Sequence, residues 1–238
     1  MRRSRVAHSS VAVMQSPLAN SFQELSNGLA ATVGVAVASL TDAPISLGPW
    51  STGVAWSTIK VPLALAALRA DAGSPDQLEA VITRSDNAAA EELWSQLGGA
   101  AAQLVQSVMR EAGDSASMVE SRRVRAEYTP FGQTQWSLAD QARFAAGLSQ
   151  IPESSRVIDL MKNLTVDHRW GLAAKGFAAK GGWGPGRTGG YLVRQFAIVS
   201  GNVGVALAAD VIDGGYQAGV QVINSMADWV VGEALTEH

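Results

Sequence analysis

Strand-like segments occur near both ends of the chain, and helical segments fill the middle. Val33, Val35 and Val37 alternate with small residues, which is typical of a strand with its large side chains on one face. The later strand-like segments are short apolar runs separated by glycine-rich turns. The predicted strands are Thr32–Leu40, Ile45–Leu47, Ala178–Gly182, Tyr191–Ser200 and Val203–Val211. Because these strands come from the two ends of the chain, they predict one antiparallel sheet with the middle of the chain inserted into it.

The inserted segment has the apolar periodicity of helices, and Gly98 and Gly113 stand where left-handed C-terminal caps occur. The predicted helices are Leu18–Ala30, Thr58–Ala70, Pro75–Thr83, Ala88–Leu97, Ala100–Ala112, Leu138–Leu148, Pro152–Leu164 and Tyr216–Ala234. The fold class is therefore α+β, with an antiparallel sheet of about five strands. Terminal helices flank the sheet, and an all-helical lobe is inserted. The expected divisions are a disordered segment at 1–17, a single domain at 18–238, its sheet part at about 18–56 and 166–238, and the lobe at about 57–165.

Composition excludes several classes of function. The 238 residues contain no cysteine, so disulfides, thiolate metal sites and cysteine nucleophiles are excluded. His8 and His238 lie at the chain ends, so only His168 could serve as a histidine base, and we interpret it as a structural residue or one that lines the site. The formal net charge of −3 gives no reason to expect nucleic acid. We expect a small-molecule substrate, with no metal and no cofactor.

No apolar run reaches the ~18 residues that a membrane helix requires. The segment Met1–Arg5 resembles the basic start of a signal peptide, but the apolar segment that should follow it is missing. The sequence as written therefore predicts a cytoplasmic protein without a membrane span.

Ser57 and Lys60 are the first candidate catalytic pair. Residues three apart share a helix face, so a hydroxyl and an amine can approach each other there. A lysine desolvated beside Trp56 and the leucine-rich helix can lose its proton near neutral pH and serve as a base for the serine. The alternative is that Ser57 caps the helix and Lys60 is solvated.

Two further segments carry candidate residues. Ser85-Asp86-Asn87 begins a helix, where all three residue types are also good N-caps. Lys180-Gly181-Gly182-Trp183 ends a short strand, and its paired glycines would let a substrate lie close to the backbone, although a simple turn has the same composition.

Together and in this order, the three segments resemble the Ser-x-x-Lys, Ser-Asp-Asn and Lys-(Thr/Ser)-Gly motifs of the serine β-lactamase and penicillin-binding protein (D,D-peptidase) clan, and of class A β-lactamases most closely. Val33–Val37 and the helix opening Ser85–Leu93 are also similar to the family. The resemblance covers about residues 32–231. It implies the family fold, an antiparallel sheet backed by terminal helices with an inserted helical lobe. Relatives in this clan usually work outside the cytoplasm.

The resemblance also implies roles. Ser57 would be the acylated nucleophile, Lys60 its proton acceptor and Ser85 a proton shuttle. Lys180 would supply positive charge opposite them. Asn87, Gly182, Trp183 and Arg194 would bind substrate, and the N–H groups of Ser57 and Trp183 would form the oxyanion hole.

Two departures from the family pattern bear on the activity. Gly181 stands where the family has a hydroxyl that binds the substrate carboxylate, and Arg187 or Arg194 is the expected substitute. The Glu-x-x-Leu-Asn segment that positions the deacylating water is missing, which leaves Glu120 and Glu127 as weak candidates. We therefore expect an acyl-enzyme hydrolase of small amides, esters, peptides or β-lactams with slow deacylation. The alternative is a non-catalytic binding or regulatory protein that retains the cleft.

Overall fold

The computed structural model describes residues 17–187, 189–199 and 202–235. The predicted disordered N-terminal segment lies outside these residues except for Pro17, as do His8 and His238. The strands are β1 (Thr32–Ala38), β2 (Ile45–Leu47), β3 (Thr52–Val54), β4 (Gln135–Ser137), β5 (Ala178–Pro185), β6 (Tyr191–Val199) and β7 (Val203–Val211). The α-helices are α1 (Pro17–Asn27), α2 (Lys60–Arg69), α3 (Pro75–Thr83), α4 (Asn87–Leu97), α5 (Ala101–Glu111), α6 (Leu138–Gly147), α7 (Ser154–Lys162) and α8 (Gly215–Trp229).

The main sheet confirms the predicted fold class. Its five strands run antiparallel in the order β2-β1-β7-β6-β5. The N-terminal strand β1 pairs with the C-terminal strand β7 along its whole length, from Thr32 opposite Asp210 to Ala38 opposite Gly204. Strand β5 lies at one edge of the sheet, so its outer side is free of a neighbouring strand.

Helices cover both faces of the sheet. Strand side chains alternate between the faces, and on β6 Phe196 packs on Phe144 of α6 with ring centroids 5.7 Å apart. Val193, three residues before Phe196 on the same strand, lies against Gly219 of α8 on the opposite face. Because all residues of β1 after Thr32 are buried, this strand lies at the centre of the core.

The boundary of the lobe differs from the expected one. Strand β4 lies inside the segment predicted to be all helical, and it pairs with β3 in a second, two-stranded sheet. Helix α6 follows β4 directly and packs on β7 and β1, so it belongs to the sheet part of the molecule. Periodicity predicts that this helix has an apolar face, but it does not predict which element that face packs against.

Helix α2 forms the centre of the lobe. Eight consecutive residues, Lys60 to Ala67, are buried, and α3, α4, α5 and α7 pack around them. A helix that is apolar on all sides is stable only when it is enclosed in this way. Lys60, the first residue of α2, therefore lies at the edge of the apolar core that encloses this helix.

We expect Ser74→Ala to lower the free energy of unfolding by about 1 kcal/mol and the melting temperature by about 2–4 °C. Ser74 Oγ accepts a hydrogen bond from Gln77 N at 3.2 Å, and Gln77 Oε1 accepts one from Ser74 N at 2.8 Å, so both orphan donors at the start of α3 are satisfied. Thermal unfolding measures the effect. Ser95→Ala, on the exposed surface of α4, is the control. Equal melting temperatures for the two variants would contradict the prediction.

Candidate active site

Ser57 lies on a tight turn that leads directly into α2. Residues Trp56–Ile59 form one turn of 3₁₀-helix that packs against β5. Trp56 has a positive φ of 51°, an unfavourable conformation for a bulky residue, and such strain concentrates at functional sites. Ser57 is partly exposed, and its Oγ makes no hydrogen bond within the described residues. The Ser57 hydroxyl is therefore available to contact a ligand.

An aromatic and cationic cluster holds this turn. The rings of Trp56 and Tyr128 meet edge to face at 4.9 Å, and the Arg125 guanidinium lies 4.3 Å from the Tyr128 centroid. Arg125 also donates a hydrogen bond to Pro185 O on β5 at 2.9 Å. Arg125 thus joins the loop before β4 to β5, the edge strand of the main sheet.

Lys60 is buried, and its amine points at the Ser85 loop. Its side chain is 2% exposed. Nζ donates to Ser85 O at 2.5 Å, to Asn87 Oδ1 at 2.6 Å and, more weakly, to Ser85 Oγ at 3.4 Å. Desolvation lowers the pKa of Lys60 from 10.5 to about 7, although the negative charge of Asp86 acts in the opposite direction. A large fraction of this amine is therefore neutral at pH 7, as a proton acceptor requires.

Ser85 brings the second lysine to the same point. It lies between α3 and α4 with a positive φ of 55°, and the next residue, Asp86, caps α4 by accepting from Ala89 N at 2.9 Å. Lys180 on β5 is 1% exposed, and its Nζ donates to Ser85 Oγ at 2.8 Å. Burial and the nearby charge of Lys60 lower the pKa of Lys180 well below its ordinary value. One hydroxyl thus contacts two buried amines.

The predicted contact between Ser57 and Lys60 is not formed. Within the described residues, no hydrogen bond joins Ser57 Oγ to Lys60 Nζ, because the amine is bound to the Ser85 loop. The two side chains nevertheless line the same cleft, as do Ser85 and Asn87. Catalytic hydrogen bonds often tighten only when substrate binds.

Strand β5 passes very close to the Ser57 turn. A Cβ atom added to Gly182 would lie 2.8 Å from Ser57 N and 2.9 Å from both Ala55 O and Thr58 N. Only glycine permits this approach, which brings the backbone of Trp183 beside Ser57. A cleft of about 500 Å³ opens between this strand and the lobe. Within the described part of the chain, no group of three or more His, Cys, Asp or Glu side chains is placed to hold a metal ion.

The sequence matches the family described as "Beta-lactamase enzyme family" over residues 74–230, which is more than half of the chain. The chain belongs to this family. The matched range includes Ser85, Asn87 and Lys180, whereas Ser57 and Lys60 lie before it. No curated protein matches the sequence.

Solved class A β-lactamases share the fold of this family member. A variant of the last common ancestor of Gram-negative bacterial class A β-lactamases aligns with a TM-score of 0.70 and 20% identity, covering 94% of this chain and 100% of the other. TLA-1 extended-spectrum β-lactamase aligns at 0.68 and 16% identity, covering 90% and 98%. A mutant of the chromosome-encoded β-lactamase of Vibrio parahaemolyticus aligns at 0.66 and 16% identity, covering 91% and 99%. Family and fold together support a β-lactamase-like hydrolase. None of the described helices is long and apolar enough to cross a membrane.

The prediction of Arg194 as a substrate-binding residue is wrong. Its side chain is 0% exposed, and it donates to the carbonyl oxygens of Gly53 and Trp136 and to Gln141 Oε1 at 2.9–3.2 Å. A buried guanidinium needs such partners. Desolvation still lowers the pKa of Arg194 to about 9. Gln141 Nε2 in turn donates to Thr58 Oγ1 at 3.0 Å, so Arg194 supports the Ser57 turn from behind.

The remaining candidates occupy different parts of the site. Arg187 is exposed and does not line the cleft, whereas His168 does, 5.3 Å from the Trp183 ring. Glu127 also lines the cleft. Glu120 binds Arg122 N at 2.8 Å and Arg122 Nε at 3.2 Å, and the hydrogen bonds from Arg122 lower the pKa of its carboxyl. Glu127 is therefore the better placed carboxylate for activating a water molecule.

Proposed function

We propose that this family member is an active-site serine hydrolase that forms an acyl-enzyme ester at Ser57. The observation that carries the proposal is a buried lysine, Lys60, whose pKa is lowered to about 7 and which follows a partly exposed serine by three residues at the wall of one cleft. The substrate would be a small amide, ester, peptide or β-lactam.

The proposed acylation step uses each group once. Ser57 Oγ gives its proton to neutral Lys60 and attacks the carbonyl carbon, and the oxyanion is stabilised by the N–H groups of Ser57 and Trp183. The new Oγ–C bond forms as the bond to the leaving nitrogen or oxygen breaks. Ser85 Oγ, which contacts both lysines, gives its proton to the leaving group and regains one from the protonated Lys60, which returns to its neutral form. Lys180 supplies positive charge, and Asn87 binds a substrate amide.

Hydrolysis of the acyl-enzyme needs an activated water molecule. Glu127 lines the cleft and is the candidate base, but it is exposed to solvent. We therefore propose that deacylation is slower than acylation. The adduct should persist long enough for mass measurement.

Intact mass after incubation with a fluorescent penicillin and with a fluorophosphonate tests the proposal. We expect one adduct per chain on Ser57 with at least one probe, none in Ser57→Ala, and an unchanged adduct in Ser95→Ala. Circular dichroism establishes that each variant is folded. Labelling that persists in Ser57→Ala would place the nucleophile elsewhere and contradict the proposal.

The absence of a Ser57–Lys60 hydrogen bond favours a second candidate, a binding or regulatory protein that keeps the cleft without the chemistry. Folded wild-type protein that gives no adduct with either probe would support this second candidate and overturn the first.

A further inference from the structure

Aromatic side chains cover one side of the cleft beside β5. We use the term aromatic wall for His168, Trp170, Trp183 and Tyr216. Trp183 lies 5.3 Å from His168, 4.8 Å from Tyr216 and 6.2 Å from Trp170, measured between ring centroids. Trp183 and His168 line the cleft, and the other two rings pack behind them. The wall therefore offers an apolar surface immediately after Gly182, next to the Ser57 turn.

Trp170, one ring of the aromatic wall, occupies the space that a side chain at position 181 would need. A Cβ atom added there would lie 2.5 Å and 2.7 Å from two carbon atoms of the Trp170 ring. Trp170 is buried, so its ring cannot move aside cheaply. No hydroxyl can therefore occupy this position to bind a carboxylate, and an indole ring stands in its place.

The charged residues around the cleft do not replace the carboxylate-binding hydroxyl that is missing at Gly181. Among the described residues that line it, the charged side chains besides Lys60 are Arg84, Glu91 and Glu127. Two carboxylates thus face one permanently charged arginine, while Lys180 is enclosed, at 1% exposure, with its amine on Ser85 and is not part of the cleft lining. Burial and the nearby charge of Lys180 lower the pKa of His168 below 6.5, so this ring is mostly neutral at pH 7. Arg194 is enclosed in the core, and Arg187 lies outside the lining.

We infer that the site accepts neutral esters or amides that place an aromatic group against the aromatic wall, in preference to substrates that carry a carboxylate there. The inference rests on the proposed function and narrows its substrate class. A carboxylate at the wall would lose its hydration against indole rings without gaining a cation. A neutral ring would instead stack on Trp183 and His168.

A matched pair of esters tests this inference. Phenyl phenylacetate and its 3-carboxyphenyl analogue share one acyl group, and each kcat/KM is divided by the rate of the same ester with hydroxide to remove intrinsic reactivity. For wild-type protein we expect the neutral ester to be preferred by about tenfold or more. Trp183→Leu keeps the backbone N–H but removes the ring, so the preference should fall to about twofold. Trp94→Leu, a partly buried tryptophan on α4 outside the cleft lining, should keep the preference.

The outcomes separate the two proposals. Equal or faster reaction of the carboxylated ester, with both esters acylating Ser57, overturns this inference and leaves the proposed function standing. The same holds if Trp183→Leu is folded and keeps the full preference. If folded wild-type protein reacts with neither ester and takes neither mass probe, the proposed function fails and this inference fails with it.

Discussion

Lys60→Met is expected to slow acylation of Ser57 by about 10²–10⁴-fold, the usual contribution of a positioned general base. Methionine has a similar length and shape but cannot accept a proton. The variant loses the hydrogen bonds to Ser85 O and Asn87 Oδ1, yet it also removes an amine whose burial is unfavourable. We therefore expect folded protein. Stopped-flow labelling with the penicillin or fluorophosphonate probe measures the acylation rate.

The pH dependence of wild-type acylation identifies the base. The folded pKa of Lys60 is lowered to about 7, so the neutral amine is scarce at pH 5 and predominant at pH 8. The rate should rise about tenfold per pH unit below 7 and level off above it. The free energy of unfolding changes with pH in the same direction as the acylation rate. Between pH 7 and the ordinary value of 10.5, the unfolded chain binds a proton that the folded one has released, so the free energy of unfolding rises with pH in that window.

Lys162→Met is the matched control for this prediction. Lys162 is exposed on α7 and forms only a surface ion pair with Asp159 at 3.3 Å, a contact worth little. This variant should keep both the acylation rate and its pH profile. Loss of less than a factor of ten in Lys60→Met, or a wild-type rate that is flat from pH 5 to 8, would show that Lys60 is not the base.

Gly182→Ala should cost both stability and activity. The new methyl group would lie within 3 Å of the backbone at Ser57, Thr58 and Ala55, and these atoms cannot rotate away as a flexible side chain could. Forcing the strand and the turn apart should lower the free energy of unfolding by about 1–3 kcal/mol. Displacing Trp183 N from Ser57 N should also slow acylation by about 10²–10³-fold, the effect of losing one oxyanion donor.

Gly99→Ala is the control for this substitution. An added methyl group at Gly99 meets no atom within 4 Å, so stability and acylation should be unchanged. Chemical denaturation and probe labelling measure the two effects. If Gly182→Ala acylates at the wild-type rate, the oxyanion hole does not depend on the close approach of β5, and that part of the proposed mechanism is wrong.

The sequence predicted helices and strands well where residues at their ends, such as helix caps and turn glycines, mark the boundaries. The helix Pro75–Thr83 was predicted with its observed bounds, and the structure shows Ser74 and Gln77 forming a capping box at its start. The glycine-rich turns likewise separated β5, β6 and β7. Strand β4 has only three residues, too few for a period-two pattern, so it could not be recognised inside a helical region.

The burial of Arg194 follows from the alternation of side chains along β6. Leu192 and Phe196 stand two residues on either side of it, so strand alternation places all three side chains on one buried face. The family resemblance favours a cationic substitute for the hydroxyl missing at Gly181, whereas the strand pattern predicts a buried Arg194. By contrast, nothing in the sequence links the segment of Arg125 and Tyr128 to Trp56 and Pro185, because those contacts join segments far apart in the chain.

The candidate site was predicted as a set of residues but not as a geometry. Spacing indicated that Ser57 and Lys60 share a face, and both line the cleft. It could not indicate that the amine turns toward Ser85 and Asn87, since that depends on which acceptors a distant loop supplies. The N-cap interpretation of Ser85-Asp86-Asn87 and the catalytic one were also not exclusive, because Asp86 caps α4 while its two neighbours contact Lys60.

The pairing of β1 with β7 has a consequence for biosynthesis. Strand β7, which flanks β1 on one side, begins at Val203, 165 residues after β1 ends at Ala38, and at about 5–20 residues per second that delay is on the order of ten seconds. During this delay, one edge of the apolar β1–β2 hairpin has no paired strand, so it can bind chaperones or other nascent chains. The Ser57 turn also packs on β5, which is translated later, so a polypeptide stalled before β5 would contain Ser57, the proposed nucleophile, but not the strand that packs against its turn.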